Sequence, residues 1–147
     1  MRPSIEEQLQ GTCRVLETVV APCVNDPMAR TMLDGLIANL RMLTVALPAV
    51  PSFLQQDNET TAQLLLVLTN SLPANLQAQV IDTMNKPDPD PTDVAALDTH
   101  NTSLRNLLAQ AVCIEGLSAD QHRAIVQHMS ERASRVPSRA PSRARHR

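Results

Sequence analysis

Apolar residues recur three and four apart along most of the chain, and the breaks between runs fall at proline, glycine, serine and aspartate. Ile5, Leu9, Cys13, Leu16, Val20 and Cys23 form the first stripe, the spacing of a helix with one buried face. Ser4-Ile5-Glu6-Glu7 opens it as a capping box, and Pro22 ends or kinks it. Asp26-Pro27 starts a second helix, an acidic cap followed by proline at the first helical position. Met28, Met32, Leu36, Leu40, Leu43 and Leu47 are its expected buried stripe, and Pro48 and Pro51 terminate it.

Residues 49–56 read as a connection carrying Phe53 and Leu54. Asp57-Asn58-Glu59 opens a third helix through Leu72, whose run Leu64-Leu65-Leu66-Val67-Leu68 predicts burial on most sides. Pro73 restarts a short helix bearing Leu76, Val80, Ile81 and Met84. Lys86-Pro87-Asp88-Pro89-Asp90-Pro91 is a stiff extended linker, because each proline bars α geometry in its predecessor. Asp90-Pro91-Thr92-Asp93 caps the fourth long helix, with Val94, Leu97, Asn101, Leu104, Leu108 and Ala111 inward. Gly116 supplies a left-handed stop. Ser118-Ala119-Asp120-Gln121 is a second capping box, opening a closing helix with Ile125, Val126 and Met129 inward.

The expected fold class is therefore all-α, a helical bundle of four main helices plus one short helix. Residues 1–133 make the bundle domain and residues 134–147 a disordered tail. The tail repeats Ser134-Arg135-Val136-Pro137, Ser138-Arg139-Ala140-Pro141 and Ser142-Arg143-Ala144-Arg145, too little apolar area to offset ordering entropy.

Composition sharpens this picture. Phe53 is the only aromatic among 147 residues, so aliphatic side chains must fill the core, and the usual stacking platforms for bases or flavins are missing. No cofactor is expected. Cys13, Cys23 and Cys113 are an odd number without C-x-x-C spacing; the first two would lie about 15 Å apart on one helix, beyond disulfide reach. Reduced, metal-free thiols in a cytoplasmic protein are the expectation. The N-terminus carries no apolar signal segment and the longest apolar run is five residues, so no membrane association is expected. Charge is unevenly spread: residues 1–131 hold fifteen acids and seven bases, residues 132–147 six arginines and no acid.

Catalytic and metal chemistry have no evident carriers. His100, His122, His128 and His146 lack partners at helical metal spacing and read as solvated or surface-edge residues. Gly11, Gly35 and Gly116 stand alone, outside any phosphate-binding loop. Glu6 with Glu7 belongs to a helix N-terminus and Asp88 with Asp90 to the linker. Asn101, at an inward position of its helix, and Asn39, flanking the stripe of the second helix, admit two readings: buried hydrogen bonds that fix register, or polar contacts at an interface. Met28, Met32 and Met42 read as core filler, although methionine surfaces also serve binding. Candidate interface residues are Ile37, Asn39, Met42, Val45 and Asn101. Arg135, Arg139, Arg143, Arg145 and Arg147 are candidate polyanion contacts, offering weak, sequence-blind attraction to nucleic acid.

The first forty-odd residues add a resemblance. Arg2-Pro3-Ser4, Leu9, Leu16, Val20, Pro22 and Ile37-Ala38-Asn39-Leu40 resemble a family of small bacterial helical accessory proteins. These are encoded beside aminoglycoside-phosphotransferase-like kinases and acyl-CoA dehydrogenases. The family pattern is R-P, an amphipathic helix ending near proline, then a helix with V-A-A-N-x-L; where it continues Arg-Glu-Leu, this chain has Thr44-Val45-Ala46-Leu47. The resemblance implies a non-catalytic subunit supporting a kinase that acts on acyl-CoA substrates, working through a protein partner or a homo-oligomer. The alternative is a small nucleic-acid-associated or regulatory protein that uses its arginine-rich tail.

Overall fold

The structure, a computed structural model, describes residues 3–137. It is all-α, as the periodicity predicts, with no strand among the described residues. The helices are α1 (Ile5–Val15), α2 (Pro27–Ala46), α3 (Val50–Leu68), α4 (Ala74–Met84), α5 (Val94–Val112) and α6 (Ala119–Arg135). They fall into two compact units, one running through Ala49 and one spanning Val50–Val136. The proposed disordered tail lies outside the described residues apart from its first four positions, of which Ser134 and Arg135 belong to α6.

The local signals act as their chemistry predicts. The Ser4 hydroxyl accepts from the Glu7 amide at 3.1 Å while Glu7 accepts from the Ser4 amide at 2.7 Å. Ser118 and Gln121 repeat the exchange at 3.2 and 2.9 Å. Gln121 also donates to Ser71 Oγ at 2.8 Å, joining the cap of α6 to the turn after α3. Asp26 and Asp93 cap α2 and α5 through the amides of Ala29 and Ala96. Gly116 sits at φ +95°, where a side chain would be strained. In the linker, Thr92 donates to Asp90 Oδ1 through both amide and hydroxyl, and these bonds lower the Asp90 pKa.

In the first unit α1 continues through a π-helical turn (Leu16–Val20) and a 3₁₀ turn (Ala21–Cys23) before reversing into α2. Two polar bonds link α2 to the segment before it. Arg30 Nη1 donates to the Ala21 carbonyl at 2.7 Å, and Arg41 pairs with Glu17. Ile37 and Thr44 lie at helical spacing between and beyond these two exposed arginines and are buried. Of the expected stripe Met28, Met32, Leu36, Leu40, Leu43 and Leu47, Leu40 is half-buried and the others are exposed, Met28 to 71%. Similarly Ile5, Val20 and Cys23 lie outside, and Cys13 is the buried member of the α1 stripe.

In the second unit α3 packs against α5 and α6, and α4 against α5. Its hydrophobic cluster is aliphatic, with Leu65, Leu68, Val80, Leu104 and Ala111 fully enclosed. Three expectations change here. The Leu64–Leu68 run is buried on one side only, with Leu66 55% and Val67 61% exposed. Helix α3 begins at Val50, so residues 50–56 are helix and Asp57-Asn58 lie inside it. In α6, Ile125 and His128 face inward, whereas Val126 and Met129 are exposed.

Candidate functional site

Leu54, the adjacent pair Asp57-Asn58, Thr61, Leu65 and Leu68 recur at three- and four-residue intervals along the buried face of α3. Three polar side chains are thus carried into an aliphatic core, where each must find partners. Asp57 is 1% exposed. Its Oδ2 accepts from Asn101 Nδ2 of α5 at 2.8 Å and from Arg132 Nε of α6 at 2.9 Å. Asn101 also donates to Asn58 Oδ1 at 2.9 Å, and Asn58 Nδ2 donates to the Leu97 carbonyl at 3.2 Å. One turn further, Thr61 Oγ1 lies 3.3 Å from His128 Nε2. The Arg132 guanidinium rests over the Phe53 ring with its carbon 5.6 Å from the centroid, placing the chain's only aromatic under a cation. A polar knot therefore ties α3, α5 and α6 through side chains.

The knot is not fully satisfied. Asp57 Oδ1 and Arg135 Nη2 are buried without a hydrogen-bond partner. His128, 7% exposed, is shifted below the ordinary histidine range. Burial is the largest cause; the Asp57 charge opposes it, Arg135 and Arg132 reinforce it, and Glu131 opposes it. The ring is therefore held neutral at pH 7, with the Thr61 hydroxyl as its bonded neighbour. Thr61 is fully enclosed, so that hydroxyl presents no face to a substrate. Beside the knot, a cleft of about 520 Å³ opens against Asn58, with Leu66, Met84 and Leu97 as its apolar wall and Gln63, Lys86 and His100 among its polar lining.

The predicted site residues are dispersed. Asn101 is at the centre of the knot, so of its two readings the buried hydrogen bond is the one its surroundings match. Ile37, offered as an interface residue, is 5% exposed and forms the buried face of α2 instead. Asn39, Met42 and Val45 are exposed on α2, Val45 to 79%. Arg135 ends α6 with Nε donating to the Glu131 carbonyl at 3.3 Å. Arg139, Arg143, Arg145 and Arg147 lie outside the described residues, as does His146. The sequence reading missed Asp57, Asn58, Arg132 and His128. A signal existed: stepping back from Leu68 and Leu65 at helical intervals passes through Thr61 and Asn58 to Leu54, which places Asp57-Asn58 on the core face. Among the described residues no group of three or more His, Cys, Asp or Glu is arranged to hold a metal.

Two outcomes follow from the knot's energetics. Arg132→Met leaves a buried carboxylate without its counter-ion and should destabilise the protein by about 3 kcal/mol. The double variant Asp57→Leu/Arg132→Met should recover at least half of that, both read from urea denaturation midpoints; additive losses would show that the pair is not coupled. The second outcome concerns pH. Because the folded-state pKa of His128 is depressed, the unfolded chain takes up a proton near pH 6.5 that the folded chain refuses. Stability should be complete above that pH and fall as the solution is acidified from pH 7.5 to 5.5. A His128→Gln variant should show a flatter melting-temperature profile; an unchanged slope would remove His128 as the cause. No family model, curated protein or solved structure matches the chain, so the knot is read from its own chemistry.

Proposed function

We propose that this chain is a helical accessory subunit that docks on a partner protein through the outer face of α2. One observation carries the reading: Met28, Met32, Leu36 and Leu43 are exposed on one side of the twenty-residue α2, with half-buried Leu40 between the last two and exposed Leu47 just beyond the helix. Water contact along such a stripe is unfavourable by about 25 cal/mol per Å² of apolar surface, and patches of this kind mark interaction sites. Met42 and Val45 widen it. Methionines at one end let the surface adapt to its partner.

The N-terminal resemblance to kinase accessory proteins supports a phosphotransferase-like kinase as that partner, because the resembling residues are those that build α1 and α2. The continuous helical stretch Pro27–Ser71 is also long and apolar enough to cross a membrane by length and composition. Protein docking is the preferred assignment, since Arg41 lies within the most apolar part of the stretch and charge at a bilayer centre is costly.

Leu36→Asp should abolish co-purification with the products of neighbouring genes while leaving helicity by circular dichroism nearly unchanged. Ile37→Asp, which puts charge into the α1–α2 contact, should unfold the first unit. Capture of the same partner by the Leu36→Asp protein, or sedimentation of the wild-type chain with lipid vesicles in place of a protein, would contradict the proposal.

A further inference from the structure

The second unit carries a smaller pocket that the docking reading does not use. It encloses about 200 Å³ between α5 and α6, lined by Leu108, Val112 and Met129 on the apolar side and by Arg105, His128 and Arg132 on the polar side. An apolar cavity of about 150 Å³ accommodates benzene, whereas drug-sized ligands occupy roughly 300 Å³ or more. Anything the pocket takes is therefore compact.

Its charge is set by how each polar residue is already engaged. Arg132 spends Nε on Asp57 and stacks on Phe53; its two terminal nitrogens make no bond within the described residues. Arg105 forms no ion pair or hydrogen bond there. The one carboxylate bonded into this cluster, Asp57, is buried behind Arg132 and offsets one of the two cations. His128 is engaged at Nε2 by Thr61. The result is a pocket with an apolar wall, a net positive rim and a planar guanidinium held in place by two contacts.

We propose that this α5–α6 pocket binds a small carboxylate with an apolar body, of benzoate or hexanoate size. The carboxylate sits between the guanidinium groups of Arg105 and Arg132, and the hydrocarbon lies against Leu108, Val112 and Met129. Guanidinium and carboxylate match in planar geometry, and fixing Arg132 beforehand lowers the ordering cost of binding. Neutral molecules of the same shape gain the apolar contact alone.

The test is a titration of the full chain with benzoate, hexanoate and their neutral amides at constant ionic strength, followed by amide chemical shifts. Dissociation constants for the two carboxylates should be on the order of 0.1–1 mM, with saturable shifts confined to α5 and α6. The amides should bind at least tenfold more weakly. Arg105→Met should weaken carboxylate binding tenfold without changing the unliganded spectrum elsewhere, and Met129→Asp should weaken it in a protein whose knot is intact. Absence of saturable shifts, equal binding of amide and acid, or unaltered binding by Arg105→Met would each overturn the proposal. None of these outcomes depends on whether α2 docks on a partner.

Discussion

A carboxylate enclosed in aliphatic surroundings must be matched by partners, and that requirement at Asp57 organises the second unit. Removing such a charge from water costs several kcal/mol even after relaxation. Its partners come from positions 44 and 75 residues further along the chain, Asn101 and Arg132. Neither can reach Asp57 unless α5 and α6 take one rotation and one register against α3. Leucine and alanine contacts are tolerant of sliding; directional bonds to a single oxygen are not. The aliphatic core contributes the bulk of the driving force, and the knot selects which packing that core adopts. Phe53 joins the same arrangement by supporting the guanidinium from below.

The first unit follows the same logic with the opposite result. Arg30 and Arg41 bind the Ala21 carbonyl and Glu17 in the same packing that places Ile37 and Thr44 inward. A helix has one rotation, so that packing leaves most of the Met28–Leu47 stripe outside. Hydrophobicity alone would have chosen the other face. The surface left uncovered is the basis of the proposed docking role.

Signals that act within a few residues were legible: both capping boxes, the aspartate caps of α2 and α5, and the left-handed glycine at 116 all sit where adjacent side chains place them. The all-α class was equally legible, because it rests on a period repeated along the whole chain. Asp57-Asn58-Glu59 was misread as a helix start because an Asp-Asn pair before an apolar run is also cap chemistry. Nothing nearby reveals partners on α5 and α6. His128 read as a surface residue for the same reason, since its neighbour Thr61 is 67 residues away. The face of α2 was misjudged because periodicity ranks stripes by apolarity, whereas the packing that fixes rotation involves another element.

The central claim is that one buried carboxylate holds α3, α5 and α6 together as a single cooperative body. Native-state hydrogen exchange measures this most directly. Amides flanking Asp57 in α3, Asn101 in α5 and His128 in α6 should share one opening free energy and lose protection together as denaturant is raised. If α6 opens separately, at lower free energy and with α3 and α5 still protected, the knot does not bind the three helices and the account is wrong.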